Sequence, residues 1–208
     1  MQIQEVFDRR RFVFLDGGMG TQLQQRGLQP GQKPELAALE MPDVLLANTF
    51  GANAKKLAGC GHSVEEVVSA SIACARLAGQ ETGALVALDI GPLGELLAPA
   101  GTLAFEDAYE EFAQIIRAGA AAGADLVFLE TMTDLYELKA AILAAKENCS
   151  LPVFTSMSFE SRGRTFTGCT VESYAVTAAG LGADAIGINC SLGPAEILPF
   201  AQRLCRSV

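Results

Sequence analysis

The amino-acid sequence predicts an α/β fold in which one domain, residues 1–208, forms an incomplete TIM-type (β/α)8 barrel. Short, almost continuously apolar runs alternate with longer segments of helical periodicity, a pattern typical of parallel strands that helices cover on both faces. Most of the apolar runs end in polar residues or glycine, and in a barrel these strand ends converge on the face where active sites lie. An open doubly wound sheet also fits the alternation, but it would bring fewer strand ends together.

Six apolar runs are predicted to be strands: Phe12–Asp16, Val44–Asn48, Ala84–Asp89, Leu126–Glu130, Pro152–Ser156 and Ala185–Asn189. A closed barrel of this type has eight strands, so the last two βα units are predicted to be missing. The segment Gly17–Asp43 is rich in glycine, glutamine and proline, and its only helical candidate, Glu35–Glu40, is short. A parallel crossover requires a covering helix, so the first crossover helix is also predicted to be missing.

Five helices are predicted from capping residues and apolar periodicity. Their caps or first residues are Ser63, Phe105, Asp134, Thr170 and Pro194. Two helix exits share the phrase Gly-Ala-Asp, at 123–125 and 182–184. Each glycine is predicted to end a helix just before a strand, so the recurrence indicates a repeating βα unit.

The composition excludes several classes of protein. The net charge is −9, 50% of the residues are apolar, 19% are charged and the mean hydropathy is +0.28, which is incompatible with intrinsic disorder. Without a lysine- and arginine-rich run, neither nucleic acid nor a membrane surface is an expected partner. No uncharged stretch is long enough to span a bilayer, and the amino terminus is charged where a signal peptide is apolar. A cytoplasmic protein is therefore expected.

Polar residues at the predicted strand ends are the candidate site residues. The glycine-rich turn Asp16–Thr21 offers backbone N–H groups to a carboxylate or phosphate, although a plain tight turn fits equally well. Glu130 ends an apolar strand, where a carboxylate needs either a substrate ammonium group or a structural ion pair as its partner. Cys190 is a metal ligand, a nucleophile or a buried thiol. The only histidine, His62, is far from it in sequence.

The segment Ser158–Thr170 is a long polar stretch after the fifth predicted strand. Loops in this position on a barrel are commonly functional. Arg162 and Arg164 suit an acidic substrate, and Cys169 is a further thiol on the same face. A solvated surface loop is the alternative.

Six motifs occur in a characteristic order: Asp16-Gly-Gly-Met-Gly-Thr21, Asn48-Thr-Phe-Gly-Ala-Asn53, Asp89-Ile-Gly-Pro92, Glu130-Thr131, Gly163-Arg-Thr-Phe-Thr-Gly168 and Gly187-Ile-Asn-Cys190. With them the chain resembles the homocysteine S-methyltransferase family. Within that family it is most similar to the N-terminal, homocysteine-binding module of cobalamin-dependent methionine synthase. The resemblance covers nearly the whole chain. It implies a (β/α)8 barrel that transfers a methyl group to the sulfur of homocysteine, giving methionine.

The resemblance also implies site residues and cofactors. Cys190 corresponds to the first of three cysteine ligands of a zinc ion whose fourth position is taken by the homocysteine sulfur, and zinc coordination deprotonates that thiol. The turn of Asp16, Gly17 and Gly18 corresponds to the region that holds the substrate carboxylate, and Glu130 to the carboxylate that receives the substrate ammonium group. The implied pocket-lining residues are Asn48 and Asn189. In methionine synthase the methyl donor is methylcobalamin, charged by methyltetrahydrofolate and held by other modules, and relatives in the family use betaine or S-methylmethionine. The resemblance leaves these donors open, and each would come from other modules or chains.

The chain departs from the family pattern at the other two zinc ligands, an adjacent cysteine pair that this sequence does not contain. An unfinished barrel is expected to expose apolar surface and to self-associate through its unpaired edges. Two hypotheses follow: a homocysteine methyltransferase module, or a non-catalytic fragment or split barrel subunit that keeps part of the homocysteine pocket and no zinc site. An aldolase-type barrel is a weaker third, because no predicted strand ends in lysine.

Overall fold

The computed structural model describes residues 13, 15, 46–79 and 84–208. These residues form the elements α1 (Ala54–Leu57), α2 (Val64–Gly79), β1 (Ala87–Ile90), α3 (Phe105–Ala121), β2 (Leu126–Met132), α4 (Leu135–Asn148), β3 (Val153–Met157), α5 (Val171–Gly180), β4 (Ala185–Ile188) and α6 (Pro194–Arg206). The strands lie in one sheet in the order β1-β2-β3-β4, and β3 and β4 are parallel. No helix in the described ranges is long and apolar enough to cross a membrane.

Four of the six predicted strands are confirmed as β1 to β4, with shifted ends. The strand β2 is longer than predicted, because it continues past Glu130 to Met132. The run Phe12–Asp16 lies outside the described residues apart from Val13 and Leu15, and the run Val44–Asn48 contributes one parallel bridge, between Leu46 and Ala87. A six-stranded incomplete barrel is therefore not confirmed, because four strands are found in the part of the chain that the structure describes. The segment Gly17–Asp43 also lies outside that part.

The predicted helix starts are confirmed where side chains cap them. The N–H of Glu66 donates to Oγ of Ser63 (3.1 Å) and the N–H of Ser63 donates to Oε2 of Glu66 (2.9 Å), which is the predicted capping box of α2. Asp134 and Thr170 cap α4 and α5 with their side-chain oxygens. The first residue of α6 is Pro194, whose missing N–H is not needed in a first helical turn.

The chain divides into two compact units. Among the described residues, the first unit contains 13, 15, 46–79, 84–90 and 114–127, and the second contains 91–113 and 128–208. In the first unit, the hydroxyl of Thr49 donates to the carbonyl of Asp89 (2.6 Å) and accepts from its N–H (3.1 Å). In the second unit, all five residues of β3 are buried, whereas all four residues of β4 are half-exposed.

In the first unit, the Gly-Ala-Asp phrase at 123–125 forms a contact that we call the aspartate clasp. The N–H of Asp125 donates to the carbonyl of Val86 (2.8 Å), and Oδ2 of Asp125 accepts from the N–H of Val86 (2.7 Å). The same oxygen pairs with the guanidinium of Arg76 on α2 (2.7 Å). Val86 precedes β1 and Asp125 precedes β2. The clasp therefore ties the starts of these two strands to each other and to α2, the helix before β1.

The phrase at 182–184 builds the same clasp inside the second unit. The N–H of Asp184 donates to the carbonyl of Val153 (2.8 Å), and Oδ2 of Asp184 accepts from the N–H of Val153 (2.8 Å) and from Nζ of Lys146 on α4 (2.8 Å). Gly182 has a φ of 83°, which glycine adopts without steric cost. The recurrence of the phrase in the sequence therefore reflects a recurrence of structure.

Asp184→Asn is expected to lower the free energy of unfolding at pH 7 by about 1 kcal/mol, a modest value because the Asp184 side chain is 47% exposed and solvent screens the pair. Burial alone raises the pKa of Asp184, but the hydrogen bonds from Lys146 and Val153 outweigh it and the pKa is lowered. A lowered pKa means that this stabilisation is present above the unfolded-state value near pH 4 and is lost below it.

Urea unfolding of wild type and Asp184→Asn between pH 2 and pH 8 checks this expectation. The two stability curves should converge in acid, because protonation of Asp184 removes from the wild type the negative charge that the substitution removes from the variant. Glu106→Gln, an exposed carboxylate change in the same unit, should leave the curve within about 0.5 kcal/mol of the wild type. A difference that persists unchanged at pH 2 would contradict a role for the charge.

Candidate functional site

A cluster of polar side chains lies at the carboxyl ends of β2, β3 and β4, within the second unit. The members are Glu130, Thr131, Ser156, Asn189 and Cys190. Each follows or ends an apolar run that forms a strand, and the carboxyl ends of neighbouring parallel strands lie at the same edge of a sheet. The parallel register of β3 and β4, with Met157 opposite Ile188, brings the following residues together.

The side-chain amide of Asn189 is the centre of this cluster. Its Nδ2 donates to Oε2 of Glu130 (3.2 Å) and to Oγ1 of Thr131 (2.9 Å). Its Oδ1 accepts from the hydroxyl of Ser156 (2.9 Å). One side chain thereby connects the ends of three strands, and Glu130, which is half-buried, has a polar neighbour there.

The thiol of Cys190 lies 3.5 Å from Oγ1 of Thr131, measured from Sγ. Cys190 is exposed, so the interpretation of this residue as a buried thiol is wrong. Cys169, the other thiol considered on this face, is half-buried, and burial raises its pKa to about 11. Because the thiolate is the form that attacks electrophiles, the raised pKa disfavours Cys169 as a nucleophile.

Three residues at these strand ends have backbones in the left-handed region: Thr131 (φ 58°), Cys190 (φ 56°) and Ser191 (φ 54°). They are the non-glycine residues with positive φ among the residues that the structure describes. Such conformations cost about 1–3 kcal/mol each and concentrate at functional sites. Hydrogen bonds hold the segment in place, with Ser191 donating to the carbonyl of Phe159 (2.7 Å) and Ser158 donating to the carbonyl of Asn189 (3.0 Å).

The polar loop after β3 is structured. The N–H of Glu160 donates to the carbonyl of Arg164 (2.8 Å), and the N–H of Thr165 donates to the carbonyl of Cys169 (2.9 Å). Oγ1 of Thr167 donates to Oδ1 of Asp134 (3.1 Å), which ties the loop to the cap of α4. The guanidinium of Arg164 donates to the carbonyl of Gly168 within the loop. One of the two arginines predicted to bind an acidic substrate therefore makes a hydrogen bond inside its own loop.

The predicted site residues fall into three groups. Glu130, Asn189 and Cys190 come together, as described above. Asn48 is half-buried in the first unit, where its carbonyl accepts from the hydroxyl of Ser71 (3.2 Å). Asp16, Gly17 and Gly18 lie outside the described residues. Sequence reasoning did not select Thr131 and Ser156, although both follow apolar runs in the same way as the selected residues.

The described residues do not fit a complete zinc site. Within residues 13, 15, 46–79 and 84–208, no three histidine, cysteine or acidic side chains are grouped so that they could hold a metal ion. Zn²⁺ in proteins takes three or four such ligands. Cys190 is therefore a single thiol beside a hydroxyl in this part of the chain.

Three comparisons with known proteins agree with one another. A family model described as homocysteine S-methyltransferase matches residues 13–208. The methionine synthases of Mycobacterium tuberculosis (strain ATCC 25618 / H37Rv) and Mycobacterium leprae (strain TN) are 30% and 29% identical over 235 residues, covering 95% of this chain and 19% of each relative. The chain thus spans about a fifth of the length of these curated relatives.

Among solved structures, the homocysteine methyltransferase MmuM from Escherichia coli has a similar fold. Its metallated form matches with a TM-score of 0.74 at 17% identity, covering 97% of this chain and 99% of that one. Its apo form matches with a TM-score of 0.68 at 20% identity, covering 95% and 89%. At this level of identity the likeness shows a shared fold.

Proposed function

Because the chain belongs to the homocysteine S-methyltransferase family, we propose that it binds homocysteine and presents the sulfur of this substrate for methylation to methionine. The observation that carries the proposal is the convergence of Glu130, Asn189 and Cys190, three residues of the family motifs, at neighbouring strand ends. The carboxylate suits the ammonium group of an amino acid, and the thiol contacts the hydroxyl of Thr131, which also accepts from Asn189. In the reaction the homocysteine thiol releases its proton to solvent and its sulfur forms a bond to the methyl carbon, while the bond between that carbon and the donor breaks and its electron pair stays with the donor.

Glu130 is proposed to pair with the substrate ammonium group. Asn189 holds this carboxylate through one N–H, at 3.2 Å, so the carboxylate oxygens have a fixed direction before substrate arrives. Such preorganisation reduces the ordering cost of binding. The proposed roles of Asp16, Gly17 and Gly18 on the substrate carboxylate, and of Asn48 as a pocket residue, rest on the motifs alone.

Zinc on Cys190 would require ligands that the described residues do not provide, so no step of the proposal depends on it. Zinc content per chain, measured for wild type and Cys190→Ser, tests this point. About one zinc per chain that is absent from Cys190→Ser would mean that the remaining ligands come from elsewhere. No zinc in either protein would limit this chain to substrate binding, as in the alternative of a non-catalytic fragment or split subunit.

The methyl donor is proposed to be methylcobalamin, charged by methyltetrahydrofolate and held by other modules or chains. This is supported by the small share, 19%, of the methionine synthases that the chain spans. The TIM-type barrel is proposed on the parallel pairing of β3 and β4 and the fold shared with MmuM. A cytoplasmic location and self-association through sheet edges stay predictions from the sequence.

Glu130→Gln is expected to weaken homocysteine binding about 10- to 100-fold, because a charge-assisted pair with the ammonium group becomes a neutral contact of the same shape. Isothermal titration calorimetry of the metal-free chain with homocysteine measures this. A second titration with 4-mercaptobutanoate, which lacks the amino group, should show no difference between the two proteins.

Glu160→Gln is the matched control, since Glu160 is exposed. It should bind homocysteine as the wild type does. Equal affinity of wild type and Glu130→Gln for homocysteine would overturn the assigned role of Glu130. No binding of homocysteine by wild type would overturn the proposed function.

A further inference from the structure

The hydrogen bonds around Asn189 have a direction that the chemistry of the groups determines. The backbone N–H of Thr131 donates to Oγ of Ser156 (3.2 Å). A hydroxyl carries one proton, and Ser156 gives it to Oδ1 of Asn189 at 2.9 Å. Ser156 therefore acts as a one-way connection from the backbone of β2 to the amide of Asn189.

The orientation of the Asn189 amide is set by the carboxylate of Glu130. Its oxygen faces the Ser156 hydroxyl, and its nitrogen faces the carboxylate of Glu130. An ionised carboxylate can only accept a hydrogen bond, so a flipped amide would turn its oxygen toward Glu130 and lose that contact, whereas the Ser156 hydroxyl could still accept from the amide nitrogen. In this orientation the second N–H of Nδ2 points to Oγ1 of Thr131 at 2.9 Å.

The hydroxyl of Thr131 thus accepts from Asn189 and has its own proton to donate. The remaining contact of this oxygen is Sγ of Cys190, at 3.5 Å. Thr131 is β-branched and left-handed, with a φ of 58°, a conformation that such residues adopt rarely and at a cost. Thr131 therefore takes part in this network twice: its backbone N–H donates to Ser156, and its side-chain hydroxyl contacts Cys190. We call the hydrogen-bonded chain from the backbone of Thr131 through Ser156 and Asn189 to the Thr131 hydroxyl and Cys190 the circuit.

We propose that Thr131 is a positioning residue that couples Glu130 to Cys190 and thereby selects substrates by the distance between their amino group and their sulfur. The inference rests on the proposed function, with the ammonium group at Glu130 and the sulfur on the Cys190 side. Homocysteine and cysteine differ by one methylene between these groups. If the circuit fixes the positions of Glu130 and Cys190, only a ligand with the correct distance between its amino group and its sulfur contacts both residues. If the two residues moved independently, they would adjust to homocysteine and cysteine alike.

The test compares dissociation constants for homocysteine and cysteine in the metal-free chain by calorimetry. Wild type should prefer homocysteine about tenfold or more, as expected for one methylene in a shaped site. Thr131→Val keeps the β-branched shape and removes the hydroxyl, so the preference should fall to about threefold or less. Thr131→Ser keeps the hydroxyl and should restore most of the preference.

Ser156→Ala should reduce the preference as Thr131→Val does, because it releases the amide of Asn189 at the start of the circuit. Thr133→Val, two residues along the same segment, is the matched control and should keep the wild-type ratio. Thermal unfolding of each variant confirms that the ratios refer to folded protein. An unchanged ratio in folded Thr131→Val would overturn the proposal.

A substrate-free readout separates this inference from the proposed function. The infrared S–H stretching band of Cys190, assigned by its absence in Cys190→Ser, reports hydrogen bonding at that sulfur. It should shift in Thr131→Val and return to the wild-type frequency in Thr131→Ser. If wild type binds no homocysteine while the band behaves in this way, the contact is real and the proposed substrate is wrong. A band that is the same in all three proteins would overturn the contact itself.

Discussion

Replacing Phe159 with alanine is expected to lower the free energy of unfolding by about 3–5 kcal/mol, the usual cost of emptying a buried aromatic site. Phe159 is 1% exposed and lies two residues after the end of β3. Its ring centroid lies 6.2 Å from that of Tyr174 on α5 and 6.4 Å from that of Phe200 on α6. The cavity would therefore separate both helices from the segment that supports the site.

Urea unfolding measures the loss, and Phe166→Ala is the matched control. Phe166 has the same side chain but is 69% exposed in the loop after β3. Its truncation should change stability by less than about 0.5 kcal/mol. Equal costs for the two substitutions would contradict the position assigned to Phe159 between α5 and α6.

Tyr174→Phe is expected to lower the free energy of unfolding by about 3 kcal/mol, because it removes the phenol hydroxyl and leaves its buried hydrogen-bond partners unsatisfied. The hydroxyl contacts Oγ1 of Thr155 (2.8 Å), donates to the carbonyl of Thr155 (3.0 Å) and accepts from the N–H of Gly187 (3.1 Å). It therefore connects β3 and β4 at Thr155, the residue before Ser156. Differential scanning calorimetry at pH 7 checks the expected loss.

The same hydroxyl gives the protein a dependence on alkaline pH. Burial raises the pKa of Tyr174 to about 12, against the lowering effect of its hydrogen bonds to Thr155 and Gly187. A raised pKa means that this stabilisation is complete below pH 10, the unfolded-state value, and is lost as pH rises toward 12. Wild type should lose about 3 kcal/mol over that range beyond what Tyr174→Phe loses.

Tyr136→Phe is the control for both tyrosine measurements. Tyr136 is 43% exposed on α4, so its substitution should leave stability at pH 7 within about 0.5 kcal/mol of the wild type. The slope between pH 10 and pH 12 should also match the wild type. If Tyr174→Phe kept the full alkaline slope, the phenol of Tyr174 would not be its cause.

The sequence predicted the helix caps and the approximate strand positions, because each of these depends on a few neighbouring residues. The capping box at Ser63, the caps at Asp134 and Thr170 and the first turn at Pro194 each need only a few neighbouring residues, and all are found. The four strands in the described residues follow from apolar runs of the right length. Their exact ends did not follow, because the end of β2 at Met132 depends on pairing with a distant strand.

The cluster itself was only partly predictable. Glu130, Asn189 and Cys190 were selected because they end or follow apolar runs within recognisable motifs. The circuit through Thr131 and Ser156 joins residues 25 and 33 positions apart, a separation at which no periodicity applies. The left-handed backbones at Thr131 and Cys190 were also unpredictable, since glycine and asparagine are the residues that usually signal this conformation.

The aspartate clasps bear on the order in which parts of the protein can fold during synthesis. Asp125 fastens residue 86, and Asp184 fastens Val153, so each clasp reaches back to a strand that is already synthesised. The cations at Arg76 and Lys146 also precede their aspartates. Every clasp can therefore close while the ribosome is still adding later residues, and assembly can proceed vectorially from one βα unit to the next.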